Sequence, residues 1–127
     1  MNSYFEQMIL SASPMELVRL TYEQAILGVR EAREHLRQKK VVERSKAIMK
    51  AYALVTELLT SLDEEKAPAI SAKLRNLYLY VQGLLLRANC EQIEEPLAEA
   101  QLLLGTLAEA WKQVPDLQPR TAAALAA

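Results

Sequence analysis

The chain has 127 residues, 51% of them hydrophobic, with 15 Lys and Arg set against 16 Asp and Glu. This is enough for one compact domain with a sizeable core and too little for two, and a net charge of −1 sets up no strong field for nucleic acid or an anionic membrane surface. The one cysteine excludes an internal disulfide or a thiolate zinc site, and the one histidine removes most other metal schemes.

The first stretch, MNSYFEQMILSASP, has no basic region and no long apolar run, so it does not read as a secretory signal. Tyr4, Phe5, Met8, Ile9 and Leu10 place apolar side chains there, with Phe5, Met8 and Ile9 spaced for one helical turn. They are expected to dock on the rest of the molecule as a displaceable cap, with residues 1–12 as a mobile segment. Ser13 then stands as N-cap, Pro14 as first helical residue and Glu16 three positions after the cap. Val18, Tyr22, Ala25, Val29, Ala32 and Leu36 follow at steps of four and three, one face of a helix that closes at Arg37, Lys39 and Lys40.

A second stripe runs through Ile48, Tyr52, Val55, Leu59 and Leu62 and stops before Pro68. The third uses Ile70, Leu74, Leu77, Val81, Leu84 and Ala88. The fourth uses Ile93, Leu97, Ala100, Leu104, Leu107 and Trp111, and Pro96 predicts that its helix starts near Glu94 or Glu95. With only 3 glycines and no competing strand signal, the expected fold is all-α. It is an antiparallel up-down-up-down four-helix bundle of helices about 30 Å long, forming a single domain over residues 1–127. Residues 115–127, with Pro115 and Pro119, are expected to fray. The longest apolar stretch, Leu77 to Leu86, is too short to span a bilayer, so no membrane insertion is expected and the protein is placed in the cytosol.

Chemistry is hard to find along these helices. Glu31 and Glu34 precede His35, but no second histidine completes a Glu-x-x-His pair, and Cys90 has no base beside it. Phosphate loops, nucleophile elbows and zinc spacings are missing. The basic stretch from Arg30 to Lys50 is interrupted by Glu31, Glu34 and Glu43 and lacks interleaved aromatics, so it reads as a solvated face rather than a nucleic-acid site. The expectation is a non-enzymatic protein without metal or cofactor.

What stands out instead is surplus apolar surface. The second helix carries a further line, Ala47, Ala51, Leu54 and Leu58, beside its stripe, and the third adds Tyr78, Leu79, Tyr80, Leu85 and Leu86. Leu79 and Leu86 are seven residues apart and nearly in line, with Gly83 between them leaving a gap. Ala47, Ala51, Leu54, Leu58, Leu79, Gly83 and Leu86 are therefore the candidate groove. Its occupant is open at this point: the chain's own N-terminal segment, a second copy, or an amphipathic partner helix, with a wide core face as the plain alternative.

Tyr4, the run Leu10-Ser11-Ala12-Ser13-Pro14-Met15-Glu16-Leu17-Val18, Tyr22 and Ala25-Ile26 resemble the opening of the flagellin-specific export chaperones, the FliS family. Leu59-Thr60-Ser61-Leu62-Asp63, then Leu77-Tyr78, Tyr80, Leu85, Ala88-Asn89 and Ala108-Glu109-Ala110-Trp111 continue the resemblance in order, from about Tyr4 to Val114. It implies a small four-helix bundle, without cofactor, that binds the disordered C-terminal segment of flagellin in apolar grooves and prevents its premature polymerisation. It also implies delivery to the flagellar type III export gate, with the N-terminal residues as groove cap or gate-docking element, and regulatory proteins as further partners. Where the family usually has an acid between its paired tyrosines, this chain has Leu79, and where an arginine pair follows it has Gly83-Leu84. The alternative is a helical homo-oligomerisation or regulatory module with no flagellin client, and monomer and dimer both stay open.

Overall fold

A computed structural model describes residues 13–113 of the chain. The expectations placed on residues 1–12 and 115–127, including Tyr4, Phe5, Met8, Ile9 and Leu10, lie outside the described residues. Four helices follow one another: α1 Pro14–Arg37, α2 Val41–Thr60, α3 Pro68–Glu91 and α4 Glu95–Lys112. No strand occurs among the described residues.

Local chemistry accounts for the boundaries. The Ser13 hydroxyl accepts a hydrogen bond from the Glu16 amide at 3.2 Å, and Pro14 takes the first turn, where a missing N–H costs nothing. Pro68 and Pro96 serve likewise in the first turns of α3 and α4. Gln92 closes α3 in the left-handed conformation with φ 56°, and Lys39 turns the short link between α1 and α2 with φ 59°. In the link between α2 and α3, Asp63 Oδ1 accepts from the amides of Glu65 and Lys66, at 3.2 and 3.3 Å.

Each helix packs on its chain neighbours, and α4 closes the ring by packing on α1. Arg44 of α2 reaches Asn89 of α3, while Gln82, earlier in α3, reaches Tyr52 and Thr56, later in α2. Between α1 and α4 the pairs are Tyr22 with Trp111 and Arg33 with Gln101. Chain position falls in one helix as it rises in its neighbour, which is the up-down-up-down bundle expected.

At the centre lies a layered core of small and branched residues from all four helices, including Ala25, Val29, Ile48, Val55, Val81, Leu85, Leu97 and Leu104, none of them exposed to solvent. Within it lies a buried polar triad. Tyr22 and Tyr78 share a hydrogen bond between their hydroxyls at 2.6 Å, and Trp111 Nε1 donates to the Tyr22 oxygen at 3.1 Å. Burial pushes both tyrosine hydroxyls well above the ordinary tyrosine pKa.

Two sequence expectations are corrected here. On α2 the buried face is centred between the two apolar lines: Ala47, Ala51 and Leu58 are buried, Leu54 is packed partly against the core, and Tyr52 and Leu59 sit at its margin. On α3, Tyr78 and Leu85 belong to the core, whereas Ile70, read as a core position, is exposed. Both follow from a core centred between two apolar lines rather than on either one. Glu94, at the N-terminal boundary of α4, makes no capping hydrogen bond. It instead accepts from Arg37 at 2.6 Å and from Arg33 at 3.4 Å across to α1, and these cations hold its carboxyl below the usual range.

Candidate client-binding face

The seven residues of the candidate groove do not share one open surface. Ala47 and Ala51 face α1: a Cβ built on Gly28 would stand 3.3 Å from both the Ala47 carbonyl oxygen and the Ala51 Cβ. This close approach of two backbones uses the small residues that the sequence reading assigned to a groove, so the pair is interhelical packing. Leu58 is buried at 3% exposure, and Leu54 is half-buried. On the α2 side the groove as drawn from the sequence is therefore mostly core.

The α3 part is different. Leu79 is 51% exposed and Leu86 45% exposed. Gly83 lies between them, exposed, with nothing within 4 Å of where its Cβ would be. Gln82 decides which way this row faces. Its amide nitrogen donates to the Tyr52 carbonyl at 3.2 Å and to the Thr56 hydroxyl at 2.8 Å, which turns that side of α3 toward α2. Leu79 and Leu86 stand three residues before and four after Gln82, so they share its side of the helix and lie just outside the α2–α3 seam. Tyr80, by contrast, donates to Glu99 of α4 and belongs to the other flank.

The matching row on α2 was missed in the sequence. Met49 is 47% exposed and lies three residues before Tyr52, which is itself half-buried. With α2 and α3 antiparallel, Met49 comes opposite Leu86 and Thr56 opposite Leu79. An apolar strip thus runs along the seam: Met49 and Tyr52 on one wall, Leu79 and Leu86 on the other, and Gly83 as the low point. The signal available in the sequence was Met49 itself, a large flexible apolar side chain outside every stripe, of the kind used at adaptable binding surfaces. Gln82, an amide inside an apolar stretch, marked the seam.

One end of the seam is fixed by Arg44, buried at 5% exposure. Its guanidinium donates to the Asn89 side chain, the Asn89 carbonyl and Gln92, at 3.2 to 3.4 Å. Ser45 also donates to Asn89, at 3.0 Å. Beyond the end of α3 the carbonyl dipoles favour a cation, which helps offset burial of a charge with only neutral acceptors.

Cys90 is exposed and His35 is half-buried at the end of α1. Among the described residues no group of three His, Cys, Asp or Glu could hold a metal ion, and no helix is long and apolar enough to cross a membrane.

The profile of the family described as Flagellar protein FliS matches residues 1–118. The chain belongs to this family. The flagellar secretion chaperone FliS of Salmonella typhimurium is 36% identical over 110 residues, covering 86% of this chain and 82% of that protein. The flagellar secretion chaperone FliS of Campylobacter jejuni is 28% identical over 113 residues, covering 89% and 88%. That of Escherichia coli is 30% identical over 112 residues, covering 85% and 80%. The members of this family to which the chain is similar are thus named flagellar secretion chaperones.

Proposed function

We propose that this chain is a cytosolic secretion chaperone that holds the C-terminal segment of flagellin along the α2–α3 strip until export. The observation that carries this reading is the strip itself: an open row of Met49, Tyr52, Leu79 and Leu86 about a glycine notch, in a chain of the FliS family. Exposed apolar side chains in a row are costly to leave in water and fit the apolar face of an amphipathic helix. The mechanism is stoichiometric and involves no reaction. The client's aggregation-prone side chains are buried, which blocks polymerisation, and the segment is ordered, which gives back part of the burial energy and keeps the complex reversible. Delivery to the export gate and contacts with regulatory proteins complete the proposed role.

Mixing the chain with the C-terminal segment of the flagellin of the same organism tests the reading. We expect a one-to-one complex on size exclusion and a gain in helical ellipticity beyond the sum of the components. Two species that elute separately, with additive spectra, would overturn it. A chain that self-associates through the strip and ignores flagellin would favour the oligomerisation alternative.

A further inference from the structure

Gly28 is held by close helix packing, whereas Gly83 and Gly105 have nothing within 4 Å of where a Cβ would stand. None of the three has a positive φ, so backbone geometry does not call for glycine at either open position. Gly105 opens on a mostly polar dent bordered by Arg33, Gln101, Thr106 and Glu109. Gly83 opens on the apolar row of α3, with Leu79 four residues before it and Leu86 three after, 51% and 45% exposed. Glycine is a poor helix former, yet α3 runs unbroken from Pro68 to Glu91, and no close contact among the described residues uses the missing side chain. What the glycine leaves is a gap in a row of side chains. Leu79 and Leu86 are about 10 Å apart along the helix axis, which leaves room between them for one further side chain. Gln82 meets Tyr52 across the seam, so the gap lies level with the turn of α2 that carries Met49 and Tyr52. Both hydrogens of the Gln82 amide nitrogen are already donated, to Tyr52 and Thr56.

We infer that Gly83 is a specificity-determining residue: its notch receives one bulky apolar side chain of the bound segment, leucine-sized or larger, and so sets the segment's register along the strip. The inference rests on the reading of the strip as the client-binding face and adds which side chain that face selects. A helix packing on α3 meets the ridge of residues 79, 83 and 87, and a large side chain can enter that ridge only where it is interrupted. Seated between Leu79 and Leu86 and covered by Met49, such a side chain loses more apolar surface to water than one laid on an unbroken row. The thioether of Met49 adapts to linear, branched or aromatic shapes, so the notch selects size and apolarity rather than one residue type. A polar side chain placed there gives up water and gains no donor from the Gln82 amide nitrogen, which counts against it.

The test uses the full chain and the flagellin C-terminal segment in calorimetric titrations, comparing the parent with Gly83→Ala and Gly83→Leu. Trp111 fluorescence on heating checks the fold of each. The large apolar residues of the segment are changed to alanine one at a time and titrated into parent and Gly83→Leu alike. Gly83→Leu should melt no earlier than the parent and bind the native segment about tenfold or more weakly, with Gly83→Ala falling between the two. One alanine variant of the segment should lose about tenfold against the parent yet bind Gly83→Leu as tightly as it binds the parent, because its shortened side chain no longer needs the notch. Gly83→Leu binding the native segment as tightly as the parent, or losses at every segment position that are equal for parent and variant, would overturn the role of the notch and leave the chaperone reading intact. Early melting of both glycine variants would overturn it too, by showing that the position is not open. A parent that binds no flagellin segment would overturn both readings.

Discussion

Tyr22, Tyr78 and Trp111 show how much a few buried polar atoms can fix. Their hydrogen-bonded chain joins α1, α3 and α4, so the hydroxyls are satisfied only when all three helices are in register. Both hydroxyls are raised, foremost by desolvation, so the folded state keeps protons that an unfolded tyrosine gives up near pH 10. The stability they carry is complete below that pH and is lost as pH rises above it, by up to about 1.4 kcal/mol per pH unit for each such group. Urea unfolding followed by Trp111 fluorescence should therefore show stability falling between pH 9.5 and about 11. Tyr78→Phe should be about 1 kcal/mol less stable at neutral pH and have a shallower alkaline slope. An equal slope in the variant would show that the alkaline loss arises elsewhere. The triad was only half legible in the sequence. Tyr22 and Trp111 sit on their stripes, but Tyr78 lies one position past Leu77 and was counted as surplus, because spacing alone does not say which of two adjacent apolar residues turns inward.

The helices themselves were legible, and for a local reason. Ser13-Pro14, Pro68, Pro96 and the absence of interior breakers fix where each helix can begin, whatever packs against it. Which face each helix buries was less so. On α2, apolar residues occupy nearly every angle between Ala47 and Leu59, so two parallel stripes fit equally well, and the close approach at Gly28 decides between them. Gly28 and Gly83 separate the two kinds of surface at this scale. Gly28→Leu drives a side chain into the Ala47 and Ala51 backbone and should destabilise the bundle by about 1–3 kcal/mol. Gly83→Ala meets open space and gains helix propensity, so it should stabilise by up to about 1 kcal/mol while partly filling the notch of the strip. Denaturant midpoints of the two variants check both signs. A neutral Gly28→Leu would mean that the α1–α2 contact is looser than described, and a destabilising Gly83→Ala would mean that the notch is not open.

Over the described residues, a closed ring of four helices buries its core internally and leaves apolar side chains exposed along the α2–α3 seam. The sequence showed that there was such a surplus and placed Leu79, Gly83 and Leu86 within it. It could not show that Ala47, Ala51 and Leu58 were already used against α1 and the core, nor that Met49 completed the strip, because both depend on how α2 is rotated within the bundle. The central claim is that this strip is the client-binding face, separate from the core. Titrating the flagellin C-terminal segment into the parent and into Leu79→Asp, with a melting curve for each and Leu58→Asp as a folding control, tests it most directly. The account predicts that Leu79→Asp, at a half-exposed position, melts with the parent yet binds at least about tenfold more weakly, a loss of roughly 1.4 kcal/mol. Leu58→Asp, which buries an unpaired charge, should lose several kcal/mol of stability. Leu79→Asp binding as tightly as the parent, or melting early like Leu58→Asp, would contradict it.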